Sequence, residues 1–132
     1  MLPAGWPLEL SPVNVCMFGL VLIYKILLPA EWDAFEAAGH FDGSPADRES
    51  GFIHLSSRDQ VAETARRVFA DESALVVVAI DDTALAETLR WEATSSHGRF
   101  PHVYGALPRA AVIATYTVAG AADIDTALPQ HP

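Results

Sequence analysis

Basic residues are scarce in this chain. It carries 8 Lys and Arg against 17 Asp and Glu, a formal net charge of −9. Nucleic-acid backbones are held mainly by clustered Lys and Arg, so duplex and single-stranded nucleic acids are poor general partners. Cysteine is scarcer still. The lone Cys16 permits no intrachain disulfide and no Cys-based zinc site, and it suits a reducing cytoplasm. The apolar run from Val13 to Leu28 is interrupted by Asn14 and Lys25, which leaves it too short and too polar for a membrane span. Residues 1–12 have no Lys or Arg, which a secretory signal would require. No His-x-His, His-Glu-x-x-His or Cys-x-x-Cys motif is present, so no metal site is expected. There is no Gly-x-Gly-x-x-Gly or Walker pattern, and any nucleotide must therefore be held by some other loop. Nor is there a Gly-x-Ser-x-Gly elbow to activate a serine.

What remains is a chain of 132 residues, 51% hydrophobic and 19% charged, which fits one globular domain. Pro3, Pro7 and Pro12 mark residues 1–19 as an irregular N-terminal extension, with Met17 the expected biological start. Residues 20–118 read as a single α+β domain, and 119–132 as a flexible tail. Leu20 to Leu27 is strand-like, with Lys25 on the same face as Ile23 and Leu27. Pro29 opens a helix that buries Trp32, Phe35 and Ala38 and is capped by Gly39. Residues 40–50 carry loop chemistry. A strand follows from Gly51 to Ser56. Ser57 and Gln60 then form a capping box for a helix whose apolar stripe is Val61, Ala65, Val68 and Phe69, with Arg58 on the wet face. Ala74 to Ile80 is apolar on both faces and reads as a central strand. Asp81 and Asp82 lead into a short helix, and Leu89 to Ala93 is another strand. Residues 94–99 form a polar loop. The segment Phe100 to Gly105 contains Pro101, which lacks an amide donor, so a regular central strand is not expected there. Ala111 to Val118 closes the domain. The pattern predicts a small, split or curved, mostly antiparallel sheet with two main helices. Exposed edge strands make a homodimer the expected assembly.

Two segments carry the candidate chemistry. In Gly51-Phe52-Ile53-His54-Leu55-Ser56, strand alternation puts His54 and Ser56 on one face. The second segment runs from Arg90-Trp91-Glu92 to Phe100-Pro101-His102-Val103-Tyr104-Gly105. His54 and His102 are flanked by apolar residues, whereas His97 sits in a polar loop and His40 and His131 in a loop and the tail. Each central imidazole could equally be a semi-buried histidine tied to a carbonyl. Glu92 beside an indole could serve as an acid or base, or be an edge glutamate paired with Arg90. Tyr104 offers a ring to a flat ligand, or to the core. Ser56 becomes a nucleophile only if His54 reaches its hydroxyl. Arg90, Arg99 and Arg109 form a local cationic group that could meet a small anion on an acidic protein.

Ile23-Tyr24-Lys25-Ile26-Leu27, Glu31-Trp32, Gly51-Phe52-Ile53-His54-Leu55-Ser56, Gln60-Val61, Trp91-Glu92 and Phe100-Pro101-His102-Val103-Tyr104-Gly105-Ala106-Leu107 resemble, in that order, the bacterial family known as domain of unknown function 952. The resemblance covers about residues 22–118. It implies a fold like a compact relative of the ADP-ribosyltransferases, with NAD as cofactor in a cleft between two small sheets. On that resemblance the first-strand position is Lys25, where many relatives carry histidine. His54 and Ser56 occupy the second position, and Glu92 is the glutamate that stabilises a cationic ribose as nicotinamide leaves. His102 and Tyr104 would line the same cleft, with Arg90 and Arg99 toward its rim. Three functions stay open: an NAD-dependent ADP-ribosyl or phospho-transferase, a non-catalytic module for a nucleotide or other small anion, and a hydrolase using His54 and His102. Lysine cannot reproduce imidazole geometry, so Lys25 favours the binding module over transfer. All three readings expect His54, Glu92 and His102 around one concavity.

Overall fold

The computed structural model describes residues 21–94 and 98–130. The expected N-terminal extension, Met17 and His97 lie outside the described residues. Strand β1 (Leu22–Leu27) is followed by helix α1 (Pro29–Ala38), β2 (His40–Phe41), α2 (Pro45–Ser50), β3 (Ile53–His54) and α3 (Arg58–Val68). Then come β4 (Leu75–Asp81), β5 (Leu89–Ala93), β6 (Arg99–Val103), β7 (Leu107–Pro108), β8 (Val112–Val118) and a last turn of helix, α4 (Ile124–Ala127). The strands form three antiparallel sheets, ordered β1-β4-β8, β2-β7 and β3-β6-β5. The chain is a small α+β protein, with α1 and α3 its longest helices.

The β1-β4-β8 sheet is buried on both faces along β1 and β4, as the uninterrupted Leu75–Ile80 run requires, while the edge strand β8 leaves Ile113 exposed. One face presents Ile23, Leu27, Val76, Val78 and Ile80 to Phe35 of α1 and to Ile53, Leu55 and Val103 of the β3-β6-β5 sheet. The other presents Tyr24, Ile26, Leu75, Val77 and Ala79 to Val61, Ala62 and Ala65 of α3 and to Ile124 and Leu128. A reciprocal bridge joins two of the sheets. The Tyr24 amide donates to the Ser56 carbonyl at 2.8 Å, and the Ser56 amide to that of Tyr24 at 2.9 Å.

Several expectations are overturned. The stretch expected to be loop, residues 40–50, forms β2 and α2 instead. Ser44 caps α2 and Gly51 ends it at φ 90°, so the following strand is confined to Ile53–His54 plus the bridge at Ser56. The proline-bearing segment is the middle strand of its sheet after all. The Pro101 carbonyl accepts from the Leu55 amide at 3.0 Å. In an extended residue the amide and carbonyl project to the same side, so Pro101's absent donor faces the place where β3 has already ended. Ala38 is exposed, as is Val68 at 60%, although both were assigned to buried stripes.

The segment after residue 118, expected to fray, is docked. Ile124 and Leu128 are buried, and Arg58, expected on the wet face, is only 3% exposed beneath them. Its guanidinium donates to the carbonyls of Pro129, Asp125 and Leu128 and to the Asp125 carboxylate. Helical spacing assigned Arg58 to solvent because the partner that covers it lies 67 residues away.

Candidate functional site

Register builds the centre of the site. His54 pairs directly with His102 across β3 and β6, and His102 pairs with Arg90 across β6 and β5. Paired residues share a face, so both imidazoles project from the same side of the sheet, while Ile53, Val103 and Leu89 project into the core. Their ring centroids are 5.6 Å apart in an edge-to-face arrangement. Phe52, two residues before His54, stacks on His102 at 4.1 Å and also touches His54 and Tyr104, at 4.8 and 5.3 Å.

Each imidazole is held from behind by a carboxylate. His102 Nδ1 lies 2.7 Å from Glu92 Oε1, and the Tyr104 hydroxyl donates to the same oxygen at 2.8 Å. Glu92 stands diagonally from His102 on β5, and Tyr104 is two positions on from His102, so strand alternation puts the three on one face and the long tyrosine side chain reaches back to Glu92. His54 Nδ1 lies 2.7 Å from Asp47 Oδ1. Asp47 comes from α2, in the segment expected to be a loop. Its backbone amide donates to Ser44 Oγ and its carboxylate accepts from the Ser44 amide, a reciprocal cap with Pro45 at the first helical position. The signal was present in the sequence as Ser44-Pro45-Ala46-Asp47. Gly43 lets the chain enter this cap. It has φ 110°, and a Cβ there would sit 3.0 Å from that of Asp47.

Asp47 is 2% exposed and accepts four hydrogen bonds, from Lys25 Nζ (2.9 Å), the Ser44 amide (2.9 Å), the His54 amide (3.1 Å) and His54 Nδ1 (2.7 Å). Burial pushes its carboxyl upward, but the bonds from His54, Lys25 and Ser44 outweigh burial and hold it well below the usual carboxylate range. Burial likewise lowers Lys25 from the ordinary lysine value, against the pull of Asp47. The carboxylate's depression decides the pair, which is an ion pair at neutral pH. Glu92 is also lowered, by its bonds from His102 and Tyr104, and Tyr104 is raised by the same contact.

With Nδ1 of each ring turned to a carboxylate, the free atom is Nε2, which has no hydrogen-bond partner among the described residues. Both histidines line a cavity of about 460 Å³ that also takes in Lys25, Asp47, Ser56 and Arg67. Glu92 does not line it. It stands behind His102, so the expected concavity holds His54 and His102 directly and the glutamate at one remove. Lys25 reaches the cavity wall, but its ammonium is committed to Asp47 and to the His54 carbonyl at 3.0 Å, so it steadies His54 where a cofactor contact was expected. Ser56 is buried, and its hydroxyl donates to Thr64 Oγ1 at 3.1 Å with no bond to His54, which removes the serine-nucleophile arrangement.

Arg90 and Arg99 are absent from the cavity wall. Arg90 folds back onto the carbonyls of Glu87 and Leu89, and Arg99 onto that of Trp91. Arg109 stacks over Trp32 and faces Glu36. The local cationic group expected from sequence is therefore dispersed, because backbone carbonyls at strand ends satisfy arginines that sequence proximity had grouped. Besides Lys25, the cation on the wall is Arg67 of α3. Among the described residues, no three His, Cys, Asp or Glu side chains form a group that could hold a metal ion. No helix there is long and apolar enough to cross a membrane.

Fold and site together define a small α+β protein that sets two carboxylate-backed histidines on the wall of one cavity. Residues 26–115 match the family model described as protein of unknown function, DUF952. The crystal structure of protein CC0527 from Caulobacter crescentus superimposes with a TM-score of 0.68 at 47% identity, covering 71% of this chain and 82% of that one. The solution NMR structure of the same protein gives 0.64 at 47% identity, over 71% and 81%. This chain belongs to the DUF952 family. The family is described as one of unknown function, and no curated protein matches the chain.

Proposed function

We propose that the protein is an acid–base enzyme that adds water across a polar bond of a small organic substrate, with His54 and His102 as its catalytic pair. One observation carries the reading. Two imidazoles 5.6 Å apart on one cavity are each fixed through Nδ1 by a carboxylate, with Nε2 unpartnered among the described residues. Orienting both rings in this way restricts where a proton can be taken and given. One neutral imidazole takes a proton from water at Nε2 as the water oxygen attacks. The other, protonated, gives its Nε2 proton to the departing oxygen as the scissile bond breaks. Water is thereby split across the bond, and the two rings return to their starting states by exchanging a proton with solvent.

The NAD-dependent transfer implied by the ADP-ribosyltransferase resemblance draws less support. It needs Glu92 facing the ligand, whereas its carboxylate is occupied by His102 and Tyr104 and lies off the cavity wall. A module that binds a nucleotide or other small anion without turnover makes no demand on Glu92 and is separated from hydrolysis by the test below.

The test is turnover of 4-nitrophenyl acetate, 4-nitrophenyl phosphate and bis(4-nitrophenyl) phosphate by the wild type and by His54→Asn and His102→Asn, with NAD and ADP-ribose in parallel. Hydrolysis that falls by roughly 10²–10⁴-fold in each variant supports the pair. Turnover unchanged in both overturns it. Nicotinamide release that survives His54→Asn and is lost in Glu92→Gln would put NAD transfer in its place.

A further inference from the structure

The same cavity constrains what its occupant looks like. Resting on the acid–base reading, we infer that the substrate is an amphipathic organic anion, with an apolar body on the cavity wall and an acidic group held by Arg67.

The wall beyond the histidines is apolar. Ile26 and Leu28 contribute from the end of β1, and Val68 and Phe69 from the end of α3. Val68 is 60% exposed, an unusual position for a large aliphatic residue on the rim of a cavity unless something covers it. The volume, about 460 Å³, falls within the range of small-molecule sites, roughly 300–1,000 Å³.

Charge supplies the second constraint. Four ionised side chains line this space. Lys25 and Asp47 cancel one another at 2.9 Å. Glu31 is turned to the start of its own helix, where Oε1 accepts from the Leu28 amide at 2.9 Å. Arg67 makes no hydrogen bond or ion pair with any described residue, unlike its neighbour Arg66, which faces Glu63 at 3.3 Å. A cation without a partner on an apolar wall complements an anion attached to an apolar body.

The layout fixes an approximate length. Ser56 lies two extended residues beyond His54, about 6–7 Å. Its hydroxyl touches Thr64, which shares a helix face with Arg67 and Val68, about one turn further on. The occupant therefore runs from the imidazole pair past Ser56 and Thr64 to Arg67, a path of at most about 15 Å. That suits a bicyclic aryl or medium-chain acyl body with the reactive bond at one end and the acid at the other.

The experiment is binding of 8-anilinonaphthalene-1-sulfonate, followed by fluorescence and by displacement of the His54 and His102 imidazole NMR signals. Neutral N-phenyl-1-naphthylamine serves as the apolar control. The wild type should bind the sulfonate, Arg67→Glu and Arg67→Gln should weaken it at least tenfold, and Arg66→Glu should not. The neutral dye should be indifferent to charge at residue 67 and should be weakened by Val68→Asp. Octanoate and 1-naphthyl phosphate distinguish carboxylate from phosphate as the preferred head group, and displacement of the dye by either supports the inference. Sulfonate binding unchanged in both Arg67 variants overturns it, as does binding that leaves the imidazole signals in place. None of these readouts needs turnover, so inert histidines would refute the acid–base reading while leaving the ligand class standing.

Discussion

Asp47 and Glu92 each sit 2.7 Å from an imidazole Nδ1, yet the Asp47 side chain is 3% exposed and the Glu92 side chain 39%. The buried carboxylate is surrounded by donors from three separate segments, at Lys25, Ser44 and His54, and its charge is balanced by an ammonium. The exposed one depends on the register of a two-strand ladder and on one tyrosine hydroxyl. The imidazoles reverse the order: His54 is 44% exposed and His102 8%. Equivalent orientation at Nδ1 is thus reached by two routes. At Asp47 the same contacts that aim the ring also hold the fold. At Glu92 the aim rests on local strand geometry, and the fold has little stake in the exposed contact.

The sharpest way to break this comparison is to remove one member of the buried pair. Asp47→Ala leaves Lys25 buried without a counter-charge, and Lys25→Met does the same to Asp47. Each should cost about 3–5 kcal/mol in urea denaturation. The double variant Lys25→Met with Asp47→Ala should recover most of that loss, because neither charge is then left buried without its partner. It should still lose turnover, because His54 has lost its orienting carboxylate. Losses that simply add in the double variant would show that Lys25 and Asp47 are not energetically coupled.

Glu92→Gln is the matching change on the exposed side. Its melting temperature should stay at the wild-type value, while turnover falls by about 10–100-fold through misorientation of His102. A large drop in melting temperature would mean that Glu92, too, holds the fold.

Acidity separates the two carboxylates further. Asp47 is depressed in the folded state, so its contribution is fully present above the ordinary carboxyl range and is lost as pH falls toward the folded value. The stability gap between wild type and Asp47→Asn should therefore be widest near neutrality and narrow progressively below about pH 4. A gap that is flat with pH would mean that Asp47 gains nothing from its ionised state.

The contrast also explains what could be read beforehand. Long segments with a clear period were legible: β1, α1, α3, β4, β5 and β8 follow hydrophobic pattern and caps. His54, His102, Glu92 and Tyr104 could be singled out because alternation and apolar flanks mark them. Asp47 was missed. Its capping signature lies in a Gly-, Ser- and Pro-rich stretch that favours a loop reading, and its partners Lys25 and His54 are 22 and 7 residues away. The surroundings of Lys25, Arg58, Arg90 and Arg99 were not legible for a related reason. A long cationic side chain goes to whichever acceptor the tertiary fold offers, and spacing does not encode that acceptor.

The smallest effect concerns Tyr104, and it reports on the exposed pair without any substrate. The Glu92 carboxylate accepts from the Tyr104 hydroxyl at 2.8 and 3.1 Å, and this contact raises the phenol above its ordinary value near 10. Subtracting the ultraviolet titration of Tyr104→Phe from that of wild type isolates this phenol from Tyr24, which burial also raises. The isolated transition should lie above the ordinary tyrosine value and move back toward it in Glu92→Gln, where no negative charge opposes ionisation. Turnover in Tyr104→Phe should fall only a few-fold, because His102 keeps its own bond to Glu92. A loss as large as that of Glu92→Gln would put the hydroxyl, and not the carboxylate alone, in charge of orienting His102. A Tyr104 transition unmoved by Glu92→Gln would mean that the Tyr104–Glu92 contact does not persist in solution, leaving Glu92 held by His102 alone.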